Sequence, residues 1–369
     1  MSLRATSSVL MACVLTIALV VSTACSSPAP ASSPTKAPEP AKAAEPAKAA
    51  PTVAKAAEPA KAAEPAKAAP QYPTKNVELI IPFAAGGVVD QVGRFLAAYA
   101  QEKWKVSVTV NNKGGGGGFI GTVAGLQAQP DGYSMLLNGP STYYGLAATK
   151  APPFKIDDGV AINRITINPV SFSVKADSKW NSLKDVVADV KAAPDKYKLA
   201  SAGNAGLATF AAAKLWIQGG IDPAKVPIIT FDGGAPAHAA VAGGSADFTS
   251  QNLAEAMSLY QAKKLKVLAV TLPEKYKQTP EIPTSKEAGF DQYNTVGWVG
   301  LWGPSKTPDH IVAAWDNLIK EALKDPKFLD QLDKAGFVPG YMSPKDWSAF
   351  INSENKSAVE IANKLGIVQ

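Results

Sequence analysis

Leu79-Ile80-Ile81-Pro82-Phe83-Ala84-Ala85-Gly86-Gly87-Val88-Val89-Asp90, continuing through Gln91-Val92-Gly93-Arg94-Phe95-Leu96, carries three patterns in succession. The unbroken apolar run reads as a buried strand, the glycine pair as a turn, and the apolar residues after it fall at helical spacing. Pro82 has no N–H to give a sheet, so the strand is expected to stop beside it. A strand that turns through glycines into a helix leaves bare N–H groups at the helix start, with the helix dipole behind them. Such a start seats an anion. The same glycines also suit a plain tight βα turn, and these residues alone leave both readings open.

Working outward, strand-like runs recur at Val77–Pro82, Val106–Asn111, Ser134–Leu137, Ile165–Val174, Lys198–Ser201, Ile228–Phe231, Asp247–Ser250 and Lys266–Thr271. Amphipathic segments lie between them, among them Leu183–Lys191, Leu207–Gln218 and Glu255–Lys263. This alternation predicts parallel βα units. Tyr72 to Gln369 is about 300 residues, more than one small core absorbs, so two α/β lobes are expected. From Pro308 the chain turns mainly helical, with Asp309 near a cap and Ile311, Trp315, Leu318, Ile319 and Leu323 on one face.

Three more glycine-rich turns follow strands: Asn111 to Gly121 (NNKGGGGGFIG), Ser201-Ala202-Gly203-Asn204-Ala205-Gly206, and Asp232-Gly233-Gly234-Ala235-Pro236-Ala237. The five-glycine run lacks the Gly-Lys-Ser/Thr ending of a phosphate loop and an acid placed to hold a metal. It also misses the dinucleotide fingerprint, so it reads as a flexible turn into a helix and no cofactor is expected. Enzyme chemistry has little to work with. His238 and His310 are the two histidines and have no metal-ligand spacing, Ser201 has no obvious base, and Asp90 suits a cap for its own helix. His238 is expected to be partly buried and hydrogen-bonded, and no metal site is expected.

The formal net charge is +6, with 34 lysines but only three arginines, Arg4, Arg94 and Arg164. No arginine–aromatic stripe is present, so nucleic acid is not an expected partner. A mildly basic protein steers anionic small molecules. With arginine so scarce, any carboxylate must be held chiefly by backbone N–H groups, hydroxyls and water.

At the other end, Arg4, an apolar core from Val9 to Val21, and Ser22-Thr23-Ala24-Cys25 form a secretory leader of residues 1–24 rather than a membrane span. Cys25 after small residues resembles a lipobox, which implies cleavage before it and a lipid on its thiol. Ser22 departs from the usual Leu or Val there. Cys13 lies inside the leader, so no disulfide or thiol chemistry remains for the folded part. Residues 25–71 follow, rich in Ala, Pro, Lys and Glu, with EPAKAA recurring at Glu39, Glu45, Glu58 and Glu64. A stretch so poor in large apolar residues cannot offset chain entropy, and it reads as a disordered, extended tether. The protein is thus expected to be exported, periplasmic or on the outer face of the cell membrane, and held there by lipid alone.

Tyr72-Pro73-Thr74-Lys75, IIPFAAGGVVD, NNKGGGGGFIG, Pro130-Asp131-Gly132-Tyr133, SAGNAG, DGGAPA, Gly243-Gly244-Ser245-Ala246-Asp247, Ile282-Pro283-Thr284, Gly300-Leu301-Trp302-Gly303-Pro304 and Thr307-Pro308 occur in that order. Together they resemble the solute-binding proteins of tripartite tricarboxylate transporters, the Bug receptors, over essentially all of Tyr72 to Gln369. The resemblance implies a two-lobed α/β clamp, like a periplasmic binding protein, whose chain crosses twice between lobes. Lobe 1 would comprise 72–169 and 298–369, and lobe 2 would comprise 170–297. It further implies a monomeric receptor that takes an organic acid between its lobes and hands it to membrane permease subunits. Phe83, Ala85, Gly86, Gly87 and Asp90 would face the carboxylate from one lobe, joined by Gly139, Ser141 and Thr142. Gly233, Gly234, Ala235 and Pro236 would face it from the other, with a helix start at Ser201, Gly203, Asn204 and Ala205.

Where the family has Pro-Gly-Gly, this chain has Ala85, and Val88 and Val89 follow; Asp232 stands where a lysine or similar residue often precedes the second glycine pair. These departures favour a ligand with an apolar body over citrate. Two other classes stay open at this point: a sensing subunit that docks to a signalling partner, and a hydrolase or isomerase on the same scaffold.

Overall fold

A computed structural model of the protein describes residues 71–369. The leader, Cys25 and the EPAKAA repeats lie outside the described residues.

Strand β1 (Val77–Ile81) runs into helix α1 (Val88–Trp104), then β2 (Val108–Asn112), α2 (Phe119–Leu126), β3 (Ser134–Asn138) and α3 (Pro140–Ala147). β4 (Gly159–Asn168) and β5 (Val170–Lys175) follow, then α4 (Leu183–Ala192), β6 (Leu199–Ser201), α5 (Leu207–Gln218), β7 (Ile228–Thr230), α6 (Gly234–Gly243), β8 (Phe248–Asn252), α7 (Leu253–Gln261) and β9 (Leu265–Val270). The chain closes with β10 (Gly297–Pro304), α8 (Asp309–Ala322), α9 (Pro326–Lys334), β11 (Val338–Met342) and α10 (Pro344–Leu365).

These strands make two sheets, ordered β11-β4-β10-β3-β1-β2 and β7-β6-β8-β5-β9, each the centre of one lobe. Leu79 and Ile81 of β1 are fully buried and join Val88, Val92 and Leu96 of α1 in one core. Side chains of this size contribute roughly 1.5–3 kcal/mol each when buried. Gly93 lets α1 lie close on the sheet, because a methyl there would stand 2.6 Å from Ile81 Cδ1 and 3.1 Å from Leu137 Cδ1.

The expectation of parallel βα units holds only for part of each sheet. β1 pairs in parallel with β2 and β3, and β6 with β7 and β8, whereas β4, β10 and β11 pair antiparallel, as do β5 with β8 and β9. The expected strand Ile165–Val174 is two strands in two sheets. Pro169 divides them, since it cannot donate to a ladder, and its carbonyl accepts the Leu253 N–H at 2.8 Å. β10 carries three glycines and ends in Pro304, a composition that hides a strand, yet all eight of its residues are buried. Without a Cβ at Gly300 the Trp347 ring packs on the strand, and Trp298, Trp302 and Trp347 share one cluster.

The last helix spans two cores. Trp347 and Ile351 join the tryptophan cluster on the first sheet, while Ala358, Ile361, Ala362 and Leu365 join the core of the second with Phe210 and Trp216. Among the described residues no helix is long and apolar enough to cross a membrane.

Candidate ligand-binding site

Register fixes which sheet edges meet. Asn168 at the end of β4 pairs with Gly297 at the start of β10, and Gly300 pairs with Asn138 at the end of β3. β1 and β2 run parallel to β3, so all three end at the edge where the chain leaves the first sheet. In the second sheet Val170, the first residue of β5, pairs with Asn252, the last of β8, and β6 and β7 run parallel to β8. The carboxyl ends of β1, β2, β3, β6, β7 and β8 therefore all lie at the junction of the sheets. In open α/β sheets, ligands bind outside such carboxyl ends.

The helices that begin at this junction share a peculiarity. α1, α3, α5 and α6 start after Gly87, Gly139, Gly206 and Gly233, and none of these starts has a side-chain cap. α7 starts after Asn252, again with no side-chain cap. Helices beginning elsewhere are treated differently: Ser182 caps α4, Asp325 caps α9 and Ser343 caps α10. α8 is an exception, starting after Pro308. Each uncapped start presents N–H groups without an intrahelical partner, backed by a partial positive charge.

On the first sheet, Phe83, Gly139 and Thr142 come together. A methyl at Gly139 would lie 3.1 Å from Val89 Cγ2 and 3.9 Å from Phe83 Cε2, and one at Gly118 would meet Thr142 Oγ1 and, at 3.1 Å, Phe83 Cε1. The Thr142 hydroxyl donates to Asn138 Oδ1 at 3.0 Å, and the same oxygen accepts the Gly139 N–H at 2.8 Å. The five-glycine run, read from sequence as a bland turn, thus lies against the Phe83 ring; its place at the end of β2, beside β1, was the available signal. Ala85 and Gly86 are exposed, Gly87 and Ser141 are half-buried, and Gly86 takes φ +86°.

Asp90 is buried beneath this turn rather than open at the junction. Its Oδ2 accepts the Gly86 N–H at 2.8 Å and Arg94 Nε at 2.9 Å, and its Oδ1 accepts Asn112 Nδ2 at 3.0 Å. Burial pushes its pKa up, but the hydrogen bonds from Arg94, Gly86 and Asn112 outweigh that and leave it below its ordinary value.

On the second sheet, Ser201 is fully buried and its hydroxyl is engaged within its own turn. It donates to the Gly203 carbonyl at 2.9 Å and accepts from Thr209 Oγ1 at 3.0 Å. Gly203 and Ala205 are half-buried and Asn204 is exposed. Gly233, at φ +116°, turns the chain into α6, with Gly234 buried and Ala235 and Pro236 exposed. His238 is fully buried with Nδ1 3.1 Å from the Gly234 carbonyl oxygen, and burial pushes its pKa down to about 4, so the ring is neutral near pH 7.

Sequence reasoning passed over Glu255 and Asn252. The Glu255 carboxyl packs directly on Gly234, so that a methyl there would overlap it. Its one recorded hydrogen bond is a long one from Asn252 Nδ2, 3.5 Å, and among the described residues no lysine or arginine pairs with it. Burial pushes its pKa up to about 7, the Asn252 bond opposing. The signal was an acid in the first turn of a helix that follows a strand end. Among the described residues no group of three His, Cys, Asp or Glu is placed to hold a metal ion.

The sequence and the fold both have counterparts among known proteins. Residues 92–367 match the model of the tripartite tricarboxylate transporter family receptor. The chain is 29% identical over 271 residues to a protein of Agrobacterium vitis encoded in the TAR-I ttuE-ttuC' intergenic region, covering 73% of this chain and 77% of that one. The solved periplasmic binding protein BugD superposes with a TM-score of 0.70 at 28% identity, over 80% of this chain and 99% of that one. An R. palustris protein solved with adipate shares the fold, with a TM-score of 0.71 at 24% identity, over 80% of this chain and 99% of that one.

Proposed function

The chain belongs to the tripartite tricarboxylate transporter receptor family, and on that premise we propose that it is an exported, lipid-anchored receptor that captures an organic acid between its lobes and delivers it to membrane permease subunits. It acts as a monomer and performs no chemistry on its cargo. Lobe 1 is formed by 72–169 with 298–369, and lobe 2 by 170–297.

The observation that carries this reading is the contrast between capped and uncapped helices: the helix starts that converge on the junction carry no side-chain cap. One carboxylate takes hydrogen bonds from the turn Phe83–Gly87 and from the α6 start at Gly233–Pro236, directly or through water. Gly139, Ser141 and Thr142 add contacts from lobe 1, and the α5 start at Ser201–Ala205 adds them from lobe 2. A hydrogen bond to a charged group is worth about 1.5–3 kcal/mol. Phe83 and Val89 line the same corner with apolar surface, which suits an acid with an apolar body. That the R. palustris relative of this fold was solved with adipate supports an organic acid as cargo.

A thermal-shift screen against mono- and dicarboxylates tests the reading. A cognate acid at 100 times its dissociation constant stabilises the protein by about 2.7 kcal/mol. If no carboxylate raises the melting temperature, while an uncharged solute does, the reading fails.

A further inference from the structure

Glu255 is a carboxyl group in a site built for carboxylates. It stands at the carboxyl end of β8, in the first turn of α7, with its head against Gly234 at the uncapped start of α6. The second jaw of the clamp is therefore already occupied, in part, by an acid of the protein's own. No cation answers it among the described residues, and the neighbouring amide of Asn252 is only half engaged: Nδ2 reaches Glu255 at 3.5 Å, while the buried Oδ1 has no donor. The Asn252 Oδ1 turns away from Glu255 and packs on Gly297, so the acceptor left over at the junction is the Glu255 carboxyl.

We infer that Glu255 sets the ligand class of this receptor: a monocarboxylate whose other end carries a hydrogen-bond-donating nitrogen, an ammonium or a primary amide, in preference to a dicarboxylate. The inference rests on the carboxylate reading of the first jaw. There the Phe83–Gly87 turn and the α1 start present no unpaired carboxylate, since the nearby acid, Asp90, is saturated by Gly86, Arg94 and Asn112. The second jaw sets the N–H groups of the uncapped α6 start beside the Glu255 carboxyl. A nitrogen donor satisfies the Glu255 carboxyl, while a second ligand carboxylate would press against it, and like charges at contact oppose each other strongly in a poorly hydrated cleft.

The direction of the pH dependence separates the two ligand classes. Burial holds the Glu255 pKa near 7, so ionisation above neutrality favours an ammonium and disfavours a second carboxylate. The groups around it do not confuse the readout. On α6, His238 is buried and neutral, and Asp232 in the preceding turn is exposed. On β5 and β9, Lys175 and Lys266 lie at the ends remote from the junction, bound to Asp177 and to the Ser178 carbonyl with Asn181. Beside α7, Tyr276 stays protonated, its pKa raised by burial to about 12.

Calorimetric titration with matched probes of four to eight carbons tests this, each set comprising the α,ω-diacid, its ω-monoamide and the ω-amino acid. An ω-amide or ω-amino acid is expected to bind at least tenfold tighter than its diacid at pH 8. Between pH 6 and 8 ω-amino acid binding is expected to strengthen and diacid binding to weaken. Glu255→Gln is expected to abolish that pH dependence and to gain tenfold or more for the diacid, while Glu255→Asp keeps the wild-type order. A diacid that binds the wild type as tightly as its nitrogen analogues overturns the inference, as does a Glu255→Gln variant with unchanged ranking. Should Gly87→Ala weaken every probe while Glu255→Gln alters none, the carboxylate reading stands and only this inference falls. Failure of every probe to bind overturns both.

Discussion

Asp90 Oδ2 accepts the N–H of Gly86 at 2.8 Å, so an acid inside α1 fastens the glycine turn that precedes the helix. Arg94 and Asn112 complete its shell, tying β1, α1 and β2 together at one carboxylate. This makes Asp90 a residue of shape. Asp90→Asn, which keeps the size but loses an acceptor and the ion pair, is expected to lower stability by about 1–2 kcal/mol at pH 7. The sign with pH follows from its depressed pKa. The stabilisation is present above the unfolded-state value of about 3.9 and is lost as pH falls through the lower folded value. Urea unfolding at pH 7 and pH 3 measures it; equal midpoints for variant and wild type at pH 7 would contradict the assignment.

Gly87 is a cleaner probe of the anion seat than its neighbours. Its φ of −73° and ψ of 170° suit any residue, and a methyl would meet only the Ala84 carbonyl oxygen, at 3.6 Å. Gly87→Ala is thus expected to fold normally and to weaken ligand binding by roughly 10- to 150-fold through one lost charged hydrogen bond. Gly86→Ala adds backbone strain at φ +86°, and Gly234→Ala displaces Glu255, so neither reports on the ligand alone. Arg94→Gln is expected to change affinity little. Titration calorimetry decides; abolished binding in Arg94→Gln with normal binding in Gly87→Ala would put the seat elsewhere.

How far the sequence could be read depended on where its patterns were local. The β1–turn–α1 unit was legible because a strand, a glycine pair and a helix follow one another without interruption, and α5 emerged with its bounds as expected, Leu207–Gln218. β10 was not, because Gly297, Gly300 and Gly303 carry no strand signal; their role is to let Trp347, Thr307 and Asn252 pack against the backbone. The antiparallel half of each sheet escaped for a related reason, since pairing of β4 with β10 joins residues more than a hundred positions apart. At the junction, glycine turns announced themselves, whereas Glu255 did not. A single acid in an amphipathic segment looks solvated until the fold lays Gly234 over it.

Closure of the lobes has a structural constraint. Tyr144 of α3 stacks on Phe210 of α5 with ring centroids 4.4 Å apart and 9° between planes, and α10 threads both cores beside it. Any closure is therefore expected to pivot about this packed seam as well as about the crossovers near Pro169–Val174 and Thr295–Val299. Small-angle scattering is expected to give a smaller radius of gyration with a saturating acid, as in hinge closure. Phe210→Ala is expected to cost about 3–5 kcal/mol of stability. An unchanged radius with a tight ligand would mean a rigid cleft.

Anchoring is separable from folding. The described residues begin at Gln71, and the side chains they bury form the cores of both sheets. Cys25→Ser is expected to move the protein from the membrane to the soluble exported fraction with its melting temperature unchanged. A variant that stays membrane-bound in high salt would remove the lipid from the picture.

The last prediction uses stability to read Glu255 without any ligand. Its folded-state pKa, raised to about 7 by burial, exceeds the unfolded value of about 4.3. For an acid raised in this way, the folded state keeps a proton that the unfolded state has lost, so stability falls as pH rises from about 4.3 to about 7 and is level above that. Because the side chain keeps some solvent exposure, the loss is expected to be on the order of 1–2 kcal/mol rather than the full linkage value. Glu255→Gln carries no charge at any pH and should be the more stable protein at pH 8 by that amount, yet nearly equal to wild type at pH 4.5. Thermal unfolding across this range compares them. Parallel stability curves for the two proteins would mean that Glu255 ionises freely in the unliganded cleft and does not constrain what binds there.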